Sequence, residues 1–338
     1  MPAEASKLRT STEGPSGFVW PQSPTSSSTW GPIMSTPVPI LVTGAGGGVG
    51  GVGRTVVELL RAGAVPVRAL MHHDDQRADA VRALGAQVVV GDLTRPDDVG
   101  HALEDVGRMF FSMSVSPEHL EATTVVATVA RELGALEALV AISQMTVSQM
   151  TATSTEESHH QRLHWLSEQV LNWSGLPVVH VRPTMFLDSP ILTTFAARSI
   201  AQDGTLRLPF GNGRTSPVAA SDVARVVTAI LHEPGRHVGQ IYELTGPRSQ
   251  DMNAVAEQFS RALGRTVSYV DVPEAQWIEQ TVAPAGLTPH LQQHLVTMAR
   301  LHRLNRYDRS TRTVEEITGS PAQTVEHYVA QHAGIFPR

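Results

Sequence analysis

Between Thr43 and Gly53 the chain reads Thr-Gly-Ala-Gly-Gly-Gly-Val-Gly-Gly-Val-Gly, and this run limits the fold more than any other segment. So many residues without a Cβ weaken a helix or a central strand, and they suit a tight turn instead. The flanks agree. Val38-Pro-Ile-Leu-Val-Thr43 is a short apolar run, and Val56, Val57, Leu59 and Leu60 recur at helical spacing until Gly63, a C-cap candidate. A glycine turn between strand and helix lets backbone N–H groups approach a pyrophosphate at the helix N-terminus. Two registers of G-x-x-G-x-x-G fit, Gly44/Gly47/Gly50 and Gly47/Gly50/Gly53, so three residues look inserted.

The same alternation continues along the chain. Val65–Met71, Gln87–Val90, Met109–Ser112, Ala138–Ser143 and Pro177–Arg182 read as strands. Helices are expected over 54–62, 74–84, from near Pro96, over 119–133 and over 158–173. Repeated strand–helix–strand units of this length need crossovers, which gives a doubly wound parallel sheet covered on both faces. Such sheets bind ligands beyond the carboxyl ends of their strands, here Thr43, Met71, Ser112, Ser143 and Arg182.

Composition excludes several chemistries. The 338 residues are 41% apolar and 17% charged, enough for a substantial core. The net charge is −6 with no basic block, which argues against nucleic acid as a partner. No apolar stretch is long enough for a membrane helix. Cysteine is absent, and the single lysine is Lys7, so thiolate and Schiff-base chemistry in the folded body are both ruled out. Residues 1–36 are rich in Ser, Thr, Pro and Gly without periodicity, and they are expected to form a disordered N-terminal tail. A cytoplasmic protein acting on a small molecule fits these facts, with a homodimer left open.

The motifs Thr43-Gly-Ala-Gly-Gly, Val67-Arg-Ala-Leu70, Gly91-Asp-Leu93, Ser174-Gly-Leu-Pro177 and Val181-Arg-Pro183 occur in that order. They are followed by Pro209-Phe-Gly-Asn-Gly-Arg214, Ser221-Asp-Val-Ala224, Tyr242-Glu-Leu-Thr-Gly246 and Ala262-Leu-Gly-Arg265. Together they resemble the NmrA-like branch of the atypical short-chain dehydrogenase/reductases, over nearly all of Ile40 to Phe336. The resemblance implies an NAD(P)-binding Rossmann domain over 37–185, with 239–246 returning to its sheet. It also implies a smaller C-terminal α+β substrate domain over 186–238 and 247–338. The family includes reductases of quinones, imines and related unsaturated compounds, and also dinucleotide-sensing regulators. Fold alone does not choose between them.

Nineteen residues after Gly53, directly after the second strand, stands His72, where an acid would grip a ribose hydroxyl and a cation would accept a 2′-phosphate. His72, His73 and Arg77 are donors, and Asp74 and Asp75 read as a helix start. This favours NADP(H), with NAD(H) the alternative. Asp92 and Leu93 match the family's adenine-contacting segment, and Ser112, Met113 and Ser114 end the fourth strand beside the expected nicotinamide ribose.

The usual Tyr-x-x-x-Lys pair is missing. In the register that Glu168 and Ser174-Gly175 set, the tyrosine and lysine positions hold His160 and His164. These histidines share one helical face, and no tyrosine falls nearby in sequence. The resemblance assigns His164 to the cofactor ribose and leaves His160 as the candidate proton donor. A His-x-x-x-His pair can also ligate a metal, but no third ligand is evident and none is expected. Ser143 stands at the superfamily's substrate-orienting position, followed by Gln144 and Met145. Pro183 and Thr184 match the wall of the nicotinamide ring, and Met185, Phe186 and Phe210 complete an apolar cleft suited to a bulky or aromatic substrate. Two functions remain open at this point: an NAD(P)H-dependent reductase of a small carbonyl, quinone, imine or enone, or a non-catalytic dinucleotide sensor.

Overall fold

The computed structural model describes residues 38–47 and 51–337; the tail expected over 1–36 and the glycine candidate Gly50 lie outside them. Six strands and five helices alternate first: β1 (Ile40–Thr43), α1 (Val52–Ala62), β2 (Val67–Met71), α2 (Gln76–Ala83), β3 (Gln87–Val90), α3 (Pro96–Leu103), β4 (Arg108–Phe111), α4 (His119–Leu133), β5 (Ala138–Ile142), α5 (His159–Trp173) and β6 (Val178–Pro183). Three strands start later than the apolar runs suggested, and for one reason. Pro39, Pro66 and Pro177 directly precede β1, β2 and β6, and proline has no N–H to give to a ladder.

The remaining elements are α6 (Ala197–Asp203), β7 (Thr205–Leu208), α7 (Ala220–His232), β8 (Ile241–Leu244), α8 (Met252–Leu263), β9 (Ser268–Asp271), α9 (Glu274–Trp277), α10 (Pro289–Arg303), α11 (Thr313–Thr318) and α12 (Val325–Gln331). β8 joins the main sheet beside β6, and β7 pairs with β9 in a two-stranded parallel ribbon. The main sheet has the order β3-β2-β1-β4-β5-β6-β8 and is parallel throughout. The direction of winding reverses between β1 and β4, which opens a crevice beyond Thr43 and Ser112.

Strand alternation divides the core between the two faces of the sheet. Ile40 and Val42 pack with Val56, Leu60 and Val227 on one side, while Leu41 packs with Met109, Phe111 and Val126 on the other. A further cluster, built on Phe195, Phe210, Phe259 and Trp277, holds the C-terminal elements together. Helix α5 is fixed at two points. Ser158 and Gln161 form a reciprocal capping box at its start. Near its middle, buried Glu168 accepts from Arg182 Nε of β6 at 2.9 Å.

α1 crosses β1 at very close range. A Cβ on Gly53 would lie 2.7 Å from the carbonyl carbon and oxygen of Gly44 and 2.8 Å from Thr43 O. Backbone cannot move aside as a side chain can, so Gly53→Ala should lower stability by about 1–3 kcal/mol in urea denaturation. An unchanged midpoint would show that α1 can shift outward without cost.

Candidate active site

The crevice is built from strand ends. Thr43 Oγ1 donates to Ser112 O at 2.6 Å and accepts from Ser112 N at 2.9 Å, which ties the end of β1 to the end of β4. Gly44 follows at φ +70°, and a Cβ there would sit 2.9 Å from Ser112 O. Gly47 also has positive φ, at +71°, but among the described residues a Cβ there would meet nothing within 4 Å. Gly51, N-cap of α1, behaves as Gly47 does. The run therefore contains two kinds of glycine. Gly44 and Gly53 are required by the chain's own packing, and they stand three residues further apart than either motif register allows. Gly47 and Gly51 border open space, where a phosphate group can approach the backbone.

From this turn the crevice runs both ways, and Gly44, Ser112, Met113 and Ser114 line both compartments. The first compartment, about 1280 Å³, is bordered by Gly47, Met71, His72, His73, Arg77, Asp92 and Leu93. Its end of β2 has no acid, yet its donors already face carboxylates. His72 Nε2 is 3.6 Å from Asp92 Oδ2, and Arg77 holds Asp75 Oδ2 at 2.6 Å and 2.9 Å. Asp75 is at the same time the N-cap of α2. Hydrogen bonds from the Thr94 backbone and hydroxyl hold the Asp92 carboxyl below its usual range, so it is ionised. His72 and His73 stack at 4.3 Å between ring centres.

The second compartment, about 1040 Å³, brings together Ser143, Gln144, Met145, His160, His164, Pro183, Thr184, Met185 and Phe186. Across from them α10 contributes Leu291, His294, Leu295 and Met298. Phe210 corrects the expectation drawn for it. It is fully buried, lines neither compartment, and stacks on His302 at 4.2 Å within the C-terminal core. Trp277 is likewise core and not part of the cleft wall. Sequence reasoning missed Tyr307, which lines this compartment although it lies far from α5 in the chain. Gln161 Nε2 approaches its hydroxyl at 3.5 Å, and burial raises its pKa, so the phenol stays protonated.

Four polar atoms of residues lining this compartment are buried without a hydrogen-bond partner among the described residues: Ser143 Oγ, Thr184 Oγ1, Ser189 Oγ and His160 Nδ1. Buried polar atoms are seldom left unpaired, and the three hydroxyls belong to residues bordering a cavity in which a ligand can satisfy them. His160 and His164 meet at 3.2 Å through their Nε2 atoms, so one donates and the other accepts. Both rings are held far below the ordinary imidazole range, chiefly by burial and then by neighbouring histidines. His119 of α4 lies 4.1 Å from His164, centre to centre, and His294 of α10 lies 4.8 Å from His160. Burial pushes these two down to about 4 and about 3. The cluster is therefore neutral at physiological pH and can give a proton only from a neutral N–H. Among the described residues, no set of three His, Asp or Glu side chains is disposed to hold a metal ion.

A family model described as NAD(P)H-binding matches residues 47–234. A (4-alkanoyl-5-oxo-2,5-dihydrofuran-3-yl)methyl phosphate reductase of Streptomyces griseus subsp. griseus is 30% identical over 297 residues, covering 88% of this chain and 99% of that protein. An NAD(P)H azoreductase of Xenophilus azovorans is 28% identical over 292 residues, covering 86% of this chain and 97% of that protein. Among solved structures, the NADPH-dependent quinone oxidoreductase of Escherichia coli in complex with NADPH aligns at a TM-score of 0.73 and 21% identity, covering 87% of this chain and 99% of that one. At that identity the structural likeness concerns the fold.

The neutral histidines have a consequence for stability. His119 and His294 fold with pKa values of about 4 and about 3, against an ordinary 6.5. The unfolded chain therefore takes up their protons first, and stability falls as pH drops from 6.5 towards those values. Each group contributes a slope of up to about 1.4 kcal/mol per pH unit. The urea midpoint should drop clearly between about pH 7.5 and about pH 5, and His294→Gln should make the dependence shallower. A pH-independent midpoint would contradict neutral burial.

Proposed function

The chain belongs to the NAD(P)H-binding family, and from that premise we propose that it is an NAD(P)H-dependent reductase of small apolar or aromatic carbonyl, quinone, imine or enone acceptors, working without a Tyr-x-x-x-Lys pair and using NADP(H) ahead of NAD(H). One observation carries this reading. A single crevice joins the glycine turn to a methionine-rich pocket that contains unpaired buried polar atoms. The residues present fit a dinucleotide: Gly47 and Gly51 leave backbone open to the pyrophosphate, His72, His73 and Arg77 border the adenosine end, and Pro183 and Thr184 border the nicotinamide end. When bound, the reduced cofactor supplies a hydride.

The chain's own side chains supply position and a proton. Met113, Met145, Met185 and Phe186 give an adaptable apolar wall suited to a flat acceptor. Ser143 Oγ can donate to an acceptor oxygen or nitrogen, and the protonated Tyr307 hydroxyl is a second donor in the same compartment. The histidines work as a unit, because their Nε2 atoms are bonded to each other. With Nε2 engaged, Nδ1 is the nitrogen that His164 offers to cofactor ribose or acceptor, and His160 supports it from behind. No permanent cation stands where the family lysine would be. That one feature favours a second reading, a dinucleotide sensor without turnover.

Oxidation of NADPH and NADH over a panel of quinones, enones, imines and azo compounds separates the two readings. The reductase reading expects turnover with at least one class and several-fold tighter NADPH binding; no turnover on any acceptor, with NADPH still bound, favours the sensor. Gly47→Val should abolish NADPH binding in calorimetry; because φ +71° strains any L side chain there, its urea midpoint should also fall, while the circular dichroism spectrum remains that of a folded protein. His160→Ala should lower kcat by about 10²–10⁴ on acceptors that need protonation, and least on quinones. His164→Ala should weaken NADPH binding as well. Wild-type behaviour of both variants on every acceptor would reduce the pair to packing.

A further inference from the structure

Each hydride accepted in such a cleft requires one proton from water, and the pocket is walled by α10. We propose that His159, His290, His160 and His164 form a proton path that leads from solvent, between the N-termini of α5 and α10, into the cleft. The path rests on the reductase reading only for its purpose; its existence is a property of the protein alone.

The rings lie in sequence from outside to inside. His159, the first residue of α5, is exposed. Its ring centre is 5.4 Å from that of His290, which is half-buried near the start of α10. His290 is in turn 5.5 Å from His160, which is buried, and His160 meets His164 at 3.2 Å. His164 lines the cleft. The chain is held in place by bonds unrelated to proton movement: His159 N donates to Gln293 Oε1 at 3.2 Å, and His294 Nδ1 is bonded at 2.8 Å to Ser158 Oγ, the cap of α5.

Two nitrogens mark where the outer and inner rings can be joined. His160 Nδ1 and His290 Nε2 are both buried, and neither has a partner among the described residues. They belong to adjacent rings in a T-shaped arrangement, and one water between them gives each a partner. An imidazole can accept on one nitrogen while donating from the other. A proton entering at His160 Nδ1 therefore releases the Nε2 proton to His164 Nε2, and His164 gives up its Nδ1 proton to the cleft; both rings are then in the opposite tautomer and return to the first by ring rotation before the next passage. One proton enters from solvent for each one delivered, each ring ends neutral, and the atoms balance against one hydride and one reduced acceptor.

The surroundings suit transit and disfavour storage of charge. The titratable groups that act on His160 are the imidazoles of His294 and His290 on α10, His119 on α4 and His159 on α5, with no carboxylate among them. Burial and these neighbours keep the inner rings neutral, so a proton that arrives does not remain. His119 and His294 sit beside the path as walls: His119 packs on His164 and Phe111, and Nδ1 of His294 is occupied by Ser158.

The test uses the full chain labelled with ¹⁵N-histidine, with and without NADPH. Exchange of the His160 and His164 ring protons with solvent is measured by NMR in the wild type, in His290→Phe, which keeps a ring in place, and in His290→Gln should the first variant fold poorly. The path predicts exchange slowed by about 10-fold or more in the variant and restored by millimolar imidazole. On an acceptor that needs protonation, kcat should fall by a similar factor and recover with imidazole, with KM for NADPH unchanged. Exchange at the wild-type rate in both variants, or slowed exchange that imidazole does not restore, would overturn the path. A wild type that reduces no acceptor would overturn the reductase reading instead, and the exchange measurement would still decide on the path.

Discussion

At the carboxyl end of β1, Gly53 of α1 lies so close to Gly44 that a methyl group would come within 2.7 Å of its carbonyl, while Thr43 Oγ1 holds both the N and the O of Ser112. The rest of the cleft follows from this junction. It sets α1 with its N-terminus at the reversal point of the sheet and draws the end of β4 against the turn. It also leaves Gly47 and Gly51 over open space. A side chain at Gly44 or Gly53 would push the elements apart before any ligand arrived. The glycines of this run therefore differ: packing requires Gly44 and Gly53, whereas Gly47 and Gly51 are left uncovered by the described residues.

The second constraint is burial of imidazole. α5 is set by its capping box at one end and by the Glu168–Arg182 pair further along, and this rigid helix presents His160 and His164 to the cleft. A lysine and tyrosine at these positions would bring a fixed positive charge and a phenol with a lowered pKa. Two neutral imidazoles bring tautomers instead, and a tautomer acts by passing a proton from one nitrogen to the other. On the proposed reductase reading, this site exchanges the fixed charge of the usual pair for proton transit. Acceptors that are already electron-poor tolerate such a change best, since they need little protonation before hydride arrives.

The sheet was legible because strand runs and helix periods alternate without interruption, and because the glycine run has a strand before it and a helix after it. Strand starts were misjudged where hydrophobicity was weighed without proline's missing N–H, at Pro39, Pro66 and Pro177. The strand-end residues Ser112, Ser143, Pro183 and Thr184 could be located because topology alone brings strand ends together. What could not be read depends on packing between distant segments. Phe210 was expected in the apolar cleft beside Met185 and Phe186, but its ring is claimed by His302 of α10. Tyr307 and His294 reach the cleft from a segment whose docking on α5 has no local signature. The same holds for His119 and His290: the i, i+4 rule reveals a pair on one helix and says nothing of rings supplied by its neighbours.

The central claim is that one dinucleotide spans both compartments, with its adenosine end at Met71 and its nicotinamide end at Met145 and Met185. Methyl NMR of ¹³C-methionine protein tests this directly, by titration with NADPH and, separately, with adenosine 2′,5′-bisphosphate, which carries the adenosine half alone. The account predicts that the bisphosphate shifts Met71 and leaves Met145 and Met185 in place, whereas NADPH shifts all three. If NADPH leaves Met145 and Met185 unmoved, or the bisphosphate moves them as far as NADPH does, the cofactor does not lie across the cleft as described.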